Sequence, residues 1–187
     1  FPLAIECTTS QGSSTTRIWI DKQRQTLNIP LAEKPLMVIV DPGKNLLATF
    51  VWQKTTEEYL YQLRYAKDVA ERILAAKKLK THAADDTVFG ALRTAALHDP
   101  FWAVRHEAAV SLAASENSRL KETLFEVYGD KHSTVRAFAI DELSRFQSPE
   151  VAYFVLKASE QDSSYLVLSN SITTLAEIDS VRGYELA

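Results

Sequence analysis

Apolar and small residues recur with a helical period over most of the chain, and they do so in register with themselves. Counted from an arginine, Arg105, Ala108, Ala109 and Leu112 occupy offsets 0, 3, 4 and 7, the spacing that lines one face of an α-helix. Arg136, Ala139, Ile140 and Leu143 repeat those offsets, and Arg72, Ala75, Ala76 and Leu79 precede them. Leu168, Ser171, Ile172 and Leu175 form a degenerate fourth copy. The origins lie 33, 31 and 32 residues apart, and an aspartate stands six places before each of the last three: Asp99, Asp130 and Asp162. A fixed period near thirty residues predicts stacked helical hairpins, each too small to bury its apolar face alone. Helices are expected over 57–80, as two broken near 66–68 or as one long bent helix, then over 87–97, 100–114, 119–128, 133–146, 149–159 and 164–178.

The first 54 residues carry a different pattern, with alternation and runs of β-formers. Strands are expected over 1–7, 16–20, 25–29, 35–40 and 46–52, with 8–14 as a turn-rich loop and Asp41-Pro42-Gly43 as a tight turn. The fold class predicted is therefore β + α: a small antiparallel β-sandwich or sheet domain over 1–54, then an α-α superhelix over 55–187 that the last copy leaves truncated. The chain opens inside an apparent strand, so a piece of something longer is expected. If the partner of 1–7 lies upstream, that strand has an open edge, and a dimer through the sheet edge is expected.

Punctuation agrees with the helical pattern. Thr55 and Glu58 form a capping box, Asp85-Asp86 precede a helix, and Asp99-Pro100 and Ser148-Pro149 read as an N-cap followed by a first-turn proline. Gly129 stands where a helix C-terminus calls for a left-handed residue. The small pairs Ala75/Ala76 and Ala108/Ala109 let helices approach closely, and the leucines at offset 7 fill the seam. An aspartate before a helix can accept free amide N–H groups, and an arginine one turn in can reach that carboxylate or its neighbour's. Asp99, Arg105, Asp130, Arg136 and Arg72 are accordingly read as a structural polar ladder between repeats and not as a ligand site.

Candidate chemistry changes this picture little. His106-Glu107 begins a zinc-protease HExxH helix, but position 110 is Val and not the second His that a metal needs at i+4. His82, His98 and His132 fall in or beside connections with no ligand spacing. Cys7 is alone in the chain and reads as a small buried residue. Lys77, Lys78 and Lys80 suit a helix C-terminus. A net charge of −3 supplies no basic field for nucleic acid, and no apolar run is long enough to span a membrane. Phe101 and Trp102 sit at a hairpin corner, where packing inward and forming a binding surface both remain open. No catalytic, cofactor or metal residue is expected in these 187 residues.

One resemblance covers essentially the whole chain. Ile18-Trp19-Ile20, the run 25–30, and Lys34-Pro35 through Asp41-Pro42 to Leu46-Leu47 occur in the order of the β-sandwich domain that follows the catalytic domain of M1-family zinc aminopeptidases, the aminopeptidase N type. The run EEYLYQLRYAKDVAERILAAKKL is similar to the start of their C-terminal helical domain. DPFWAVRHEAAVSLA resembles the HEAT-like repeats of a bacterial branch. The period is shorter than the roughly 40–47 residues of standard HEAT repeats. The family's HExxH, its downstream zinc-ligand Glu, GxMEN and its oxyanion Tyr have no counterpart here, and Met37 lies in a strand. The resemblance implies a parent that removes N-terminal residues from peptides, with zinc held in its own catalytic domain. This chain would be spacer and chamber wall, with that catalytic domain and the parent's peptide substrates as partners. A protein-interaction scaffold is the alternative reading.

Overall fold

The computed structural model describes residues 1–179. A three-stranded antiparallel sheet is followed by eight α-helices among those residues. Strands β1 (Pro2–Thr9), β2 (Gly12–Trp19) and β3 (Met37–Val40) lie in the order β2-β1-β3. The helices are α1 (Thr56–Tyr65), α2 (Val69–Leu79), α3 (Asp86–His98), α4 (Trp102–Ala113), α5 (Leu120–Val127), α6 (Ser133–Leu143), α7 (Pro149–Gln161) and α8 (Tyr165–Ile178), with a 3₁₀ turn at Lys80–His82. The β + α class is as expected. The chain divides into two compact units between Ala75 and Ala76, inside α2, whereas the change from strand to helix falls at Thr56.

In the first unit the sheet is smaller than the pattern suggested. The expected loop 8–14 is mostly strand, because Thr9 pairs with Gly12 across a two-residue turn. Gly12 accommodates that turn at φ +131°, where a side chain would be strained. The run 25–29 is not a strand. The Gln25 side chain takes up the end of β2 instead, donating to Trp19 O at 3.0 Å, while Leu27, Ile29 and Leu31 pack singly over the face made by Leu3, Ile5 and Cys7. The run 46–52 also pairs with nothing and carries no regular structure. The expectation that 1–7 is an open edge is corrected too. β1 is the central strand, paired with β2 on one side and β3 on the other, so the open edges belong to its neighbours.

The opposite face, Met37 and Ile39, packs with Ala66 and Tyr61. The turn after β3 is tight as expected. Asp41 (φ 53°), Gly43 (φ 83°) and Lys44 (φ 53°) are left-handed, and the buried Asp41 carboxylate accepts Asn45 N–H and Leu46 N–H at 3.1 and 2.8 Å. A hydrogen bond to a charged acceptor at two amides offsets the strain of a non-glycine positive φ.

Three helices start at the expected side-chain caps, and two other expected signals act differently. Thr55 forms the full capping box with Glu58, Asp85 accepts Thr87 N–H and Val88 N–H, and Ser148 caps α7 with Pro149 in its first turn. Asp99, however, does not cap α4. It closes α3 at its C-terminus, and its carboxylate accepts Phe101 N–H at 2.9 Å in an Asx turn. Phe101 stays extended, so the helix opens at Trp102. Gly129 does not take a left-handed conformation, since the positive-φ glycines are Gly12 and Gly43. Instead α5 tightens at its end, with Gly129 N–H donating to Glu126 O at 3.0 Å.

In the second unit, α3 packs on α4, α5 on α6 and α7 on α8, while α4, α6 and α8 form a continuous row. The repeated face is the core. Ala108, Ala109, Ala139, Ile140, Leu143 and Leu175 are all buried, and each large side chain there contributes roughly 1.5–3 kcal/mol. The small residues allow close approach: Ser111 Oγ reaches Ala76 O at 2.9 Å, and Thr174 Oγ1 reaches Ile140 O at 3.4 Å.

Candidate functional site

The connection before the second helix of each hairpin is built the same way three times. Asp99, Asp130 and Asp162 each accept the amide N–H two residues on, from Phe101, His132 and Ser164 at 2.9, 2.7 and 2.9 Å. Arginines from the helix faces then join successive connections. Arg105 donates Nη1 to Asp99 O at 2.8 Å, and through Nε and Nη2 it grips both oxygens of Asp130 at 2.5 and 2.8 Å. Arg136 does the same one repeat later, to Asp130 O at 2.9 Å and to both oxygens of Asp162 at 2.7 and 2.8 Å. Each arginine thus holds the main chain of its own connection and the carboxylate of the next. Arg72 makes the first half of this pattern, donating to Ala66 O and Lys67 O at 2.9 and 3.0 Å.

A guanidinium fork matched to a carboxylate is the strongest form of such a pair. The Arg105 and Asp130 side chains are only 5% and 6% exposed. Burial raises the Asp130 pKa, but the Arg105 hydrogen bond, the His132 amide and the neighbouring charges outweigh it and hold the carboxyl below the usual range. Asp162 is likewise held low, chiefly by Arg136. Sequence reasoning left Asp162 out of the ladder, although it occupies the same position relative to its repeat. It also missed Tyr128, whose hydroxyl donates to Asp162 at 3.2 Å.

A cavity of about 440 Å³ opens at this corner, lined by Leu97, His98, Pro100, Gly129 and Lys131 together with Asp99, Arg105 and Asp130. Its charged groups already face one another, so it offers a ligand little beyond Lys131 and His98. Beside it, Trp102 stacks on His132 with parallel rings 4.0 Å apart, and His106 meets the edge of Phe138 at 5.3 Å. Trp102 is partly buried by this packing, whereas Phe101 stays 40% exposed. Burial lowers the His106 pKa, with Glu107 opposing and His132 reinforcing the shift. Among the described residues no three His, Cys, Asp or Glu side chains are grouped to hold a metal ion. The zinc of the resembled family therefore finds no fitting donor set among the described residues.

The first unit has its own polar knot. Gln62 and Glu71 are buried, and Gln62 Nε2 donates to Glu71 O and Oε2 at 2.8 and 2.9 Å. Lys44 pairs with Glu71, and Lys54 donates to Gln62 Oε1. The knot ties the irregular segment after β3 to α1 and α2. Burial lowers the Lys54 pKa, and buried Cys7 is pushed up by burial.

Comparison with known proteins bears on the helical part. The family profile described as HEAT repeats matches residues 90–176, the span from α3 into α8. No curated protein matches the chain. No helix among the described residues is long and apolar enough to cross a membrane. Fold and match together define a small antiparallel sheet followed by a helical-repeat module similar to HEAT repeats.

Proposed function

We infer that this chain is a non-catalytic helical-repeat scaffold that works by contact with other proteins. The observation that carries the reading is the state of its most conspicuous charged residues. Arg105, Arg136, Asp130 and Asp162 are each saturated by one another and by main-chain groups, so they stiffen the array and leave its faces for contact. Repeat arrays present extended surfaces suited to that use. The purified chain, assayed with and without added zinc on aminoacyl anilides and esters, is expected to give no turnover. Chelator-sensitive hydrolysis would overturn the reading.

A second reading is favoured by the order of the motifs. Ile18-Trp19-Ile20, Lys34-Pro35 and Asp41-Pro42 precede the helical repeats as they do in M1-type zinc aminopeptidases. On that reading the chain is spacer and chamber wall of such a peptidase, and the zinc and the bond-breaking belong to a separate catalytic domain. The coding sequence upstream of Phe1 tests it: an HExxH with a downstream glutamate ligand is expected, and their absence overturns it.

A further inference from the structure

The first unit contains two halves of a β-pairing that are not joined to each other. One is the outer edge of β2. Phe1 and Ile20 exchange both main-chain hydrogen bonds, at 2.9 and 2.8 Å, which sets the phase of an antiparallel ladder in which bonded and non-bonded pairs alternate. With Leu3 opposite Ile18 and Ala4 opposite Arg17, the amide and carbonyl of Ile18, Thr16 and Ser14 turn toward β1. Those of Ser13, Thr15 and Arg17 turn outward. Among the described residues β2 has a neighbouring strand on one side only. The edge has no proline and one charge, Arg17, so it lacks the devices that usually keep an edge from pairing.

The other half is the run 46–52, LLATFVW. Its composition is that of a strand, yet it pairs with nothing. Leu46 packs onto the sheet, and residues 47–53 are all exposed, Leu47 and Val51 the most at 109% and 93%. Between residues 49 and 53 no main-chain amide bonds to the main chain of a described residue. Leu46 N–H is held by Asp41 and Ala48 N–H by Leu46 O, so the run offers its apolar side chains from Leu47 on and its main-chain amides from Thr49 on.

We propose that two copies of this chain exchange these elements, the run 46–52 of each adding as a strand to the outer edge of β2 of the other. The lengths match, seven residues against the eight of β2. Trp19, 64% exposed in β2, gives the incoming strand an apolar neighbour on one face. A second copy is the occupant because each chain supplies one donor segment and one acceptor edge, and reciprocal exchange about a two-fold axis uses both and closes the assembly.

Light scattering after size exclusion, on the 187-residue chain from about 10 to 500 µM, is expected to give twice the 21.0 kDa of one chain. Thr15→Pro removes an outward amide, a position where an edge strand tolerates proline, and Val51→Pro disables the donor. Each variant alone is expected to be monomeric with an unchanged circular dichroism spectrum. An equimolar mixture is expected to recover dimer, since each variant keeps the half the other lacks. If either proline variant is misfolded, Leu47→Lys and Thr15→Lys replace them, both at exposed side chains. Wild-type monomer at the highest concentration overturns the proposal. So does a dimer that survives Val51→Pro, which would mean β2 pairing with β2, or one that survives Thr15→Pro, which would mean donor pairing with donor.

Discussion

Replacing Asp130 with alanine leaves the Arg105 guanidinium in a site where its side chain is only 5% exposed. Removing one partner of a buried ion pair costs about 3–5 kcal/mol, because the other charge stays behind uncompensated. Arg105 retains Asp99 O at 2.8 Å, which holds the loss near the lower end. The His132 amide loses its acceptor as well, adding about 1 kcal/mol. The expected loss is about 3–4 kcal/mol, or a fall in Tm of roughly 12 °C or more for a unit of this size. Urea unfolding followed by circular dichroism at neutral pH reads it directly. Two controls give the number meaning. Glu126→Ala breaks the Arg93–Glu126 pair, equally short at 2.6 Å but 39% and 48% exposed, and is expected to cost less than about 1 kcal/mol. Arg105→Met combined with Asp130→Leu, which removes both charges, is expected to recover most of the loss. If Asp130→Ala costs no more than Glu126→Ala, the ladder does not hold the repeats together.

Further expectations concern pH, packing and the first unit. The Asp130 and Asp162 carboxyls have folded pKa values below the ordinary 3.8, so their stabilisation is complete above that value and is lost as pH falls through the folded one; Asp162→Asn should flatten the acid limb of a stability–pH curve. Burial lowers the His106 pKa from 6.5, so the unfolded chain takes up a proton first and stability declines as pH drops below about 7; His106→Phe should remove that part of the decline in urea melts. Ala109, fully buried between helices, has no room for three more carbons, and Ala109→Leu should cost about 1–3 kcal/mol or more by overpacking. Gln62→Ala takes from the buried Glu71 carboxylate its neutral donor and should destabilise the first unit by about 2–3 kcal/mol, seen as a loss of tertiary signal from Trp19 and Trp52 fluorescence.

Helices were far more legible than strands, for a local reason. Arg105, Ala108, Ala109 and Leu112 mark a helix face because a helix satisfies its own main chain, so a run of suitable residues is enough. A strand needs a neighbour. The runs 25–29 and 46–52 have strand composition, but Gln25 uses its side chain on Trp19 O, and 46–52 finds no edge within its own unit. The same distinction explains the caps. Thr55 and Glu58 close a box within four residues, whereas whether Asp99 caps a helix or makes an Asx turn depends on where Arg105 pulls the Asp99 carbonyl. The ladder read from spacing includes Arg105, Asp130 and Arg136 but leaves out Asp162, which pairs with Arg136, and spacing did not give the ladder's direction. Nothing in the order of residues says that Arg105 takes the carboxylate of Asp130, 25 positions on, instead of that of Asp99, six positions back. The stacking of Trp102 on His132 was hidden for the same reason, since it depends on the register of one hairpin on the next.

The central claim is that the aspartate–arginine pairs couple each hairpin to its neighbour, and native-state hydrogen exchange on the whole chain tests it most directly. In the unaltered protein the amides of α3 through α8 are expected to share closely similar opening free energies. Asp162→Ala severs the Arg136 connection and should let α7 and α8 exchange markedly faster while α3 and α4 keep their protection. Unchanged exchange in α7 and α8, or an equal loss across every helix, would contradict it.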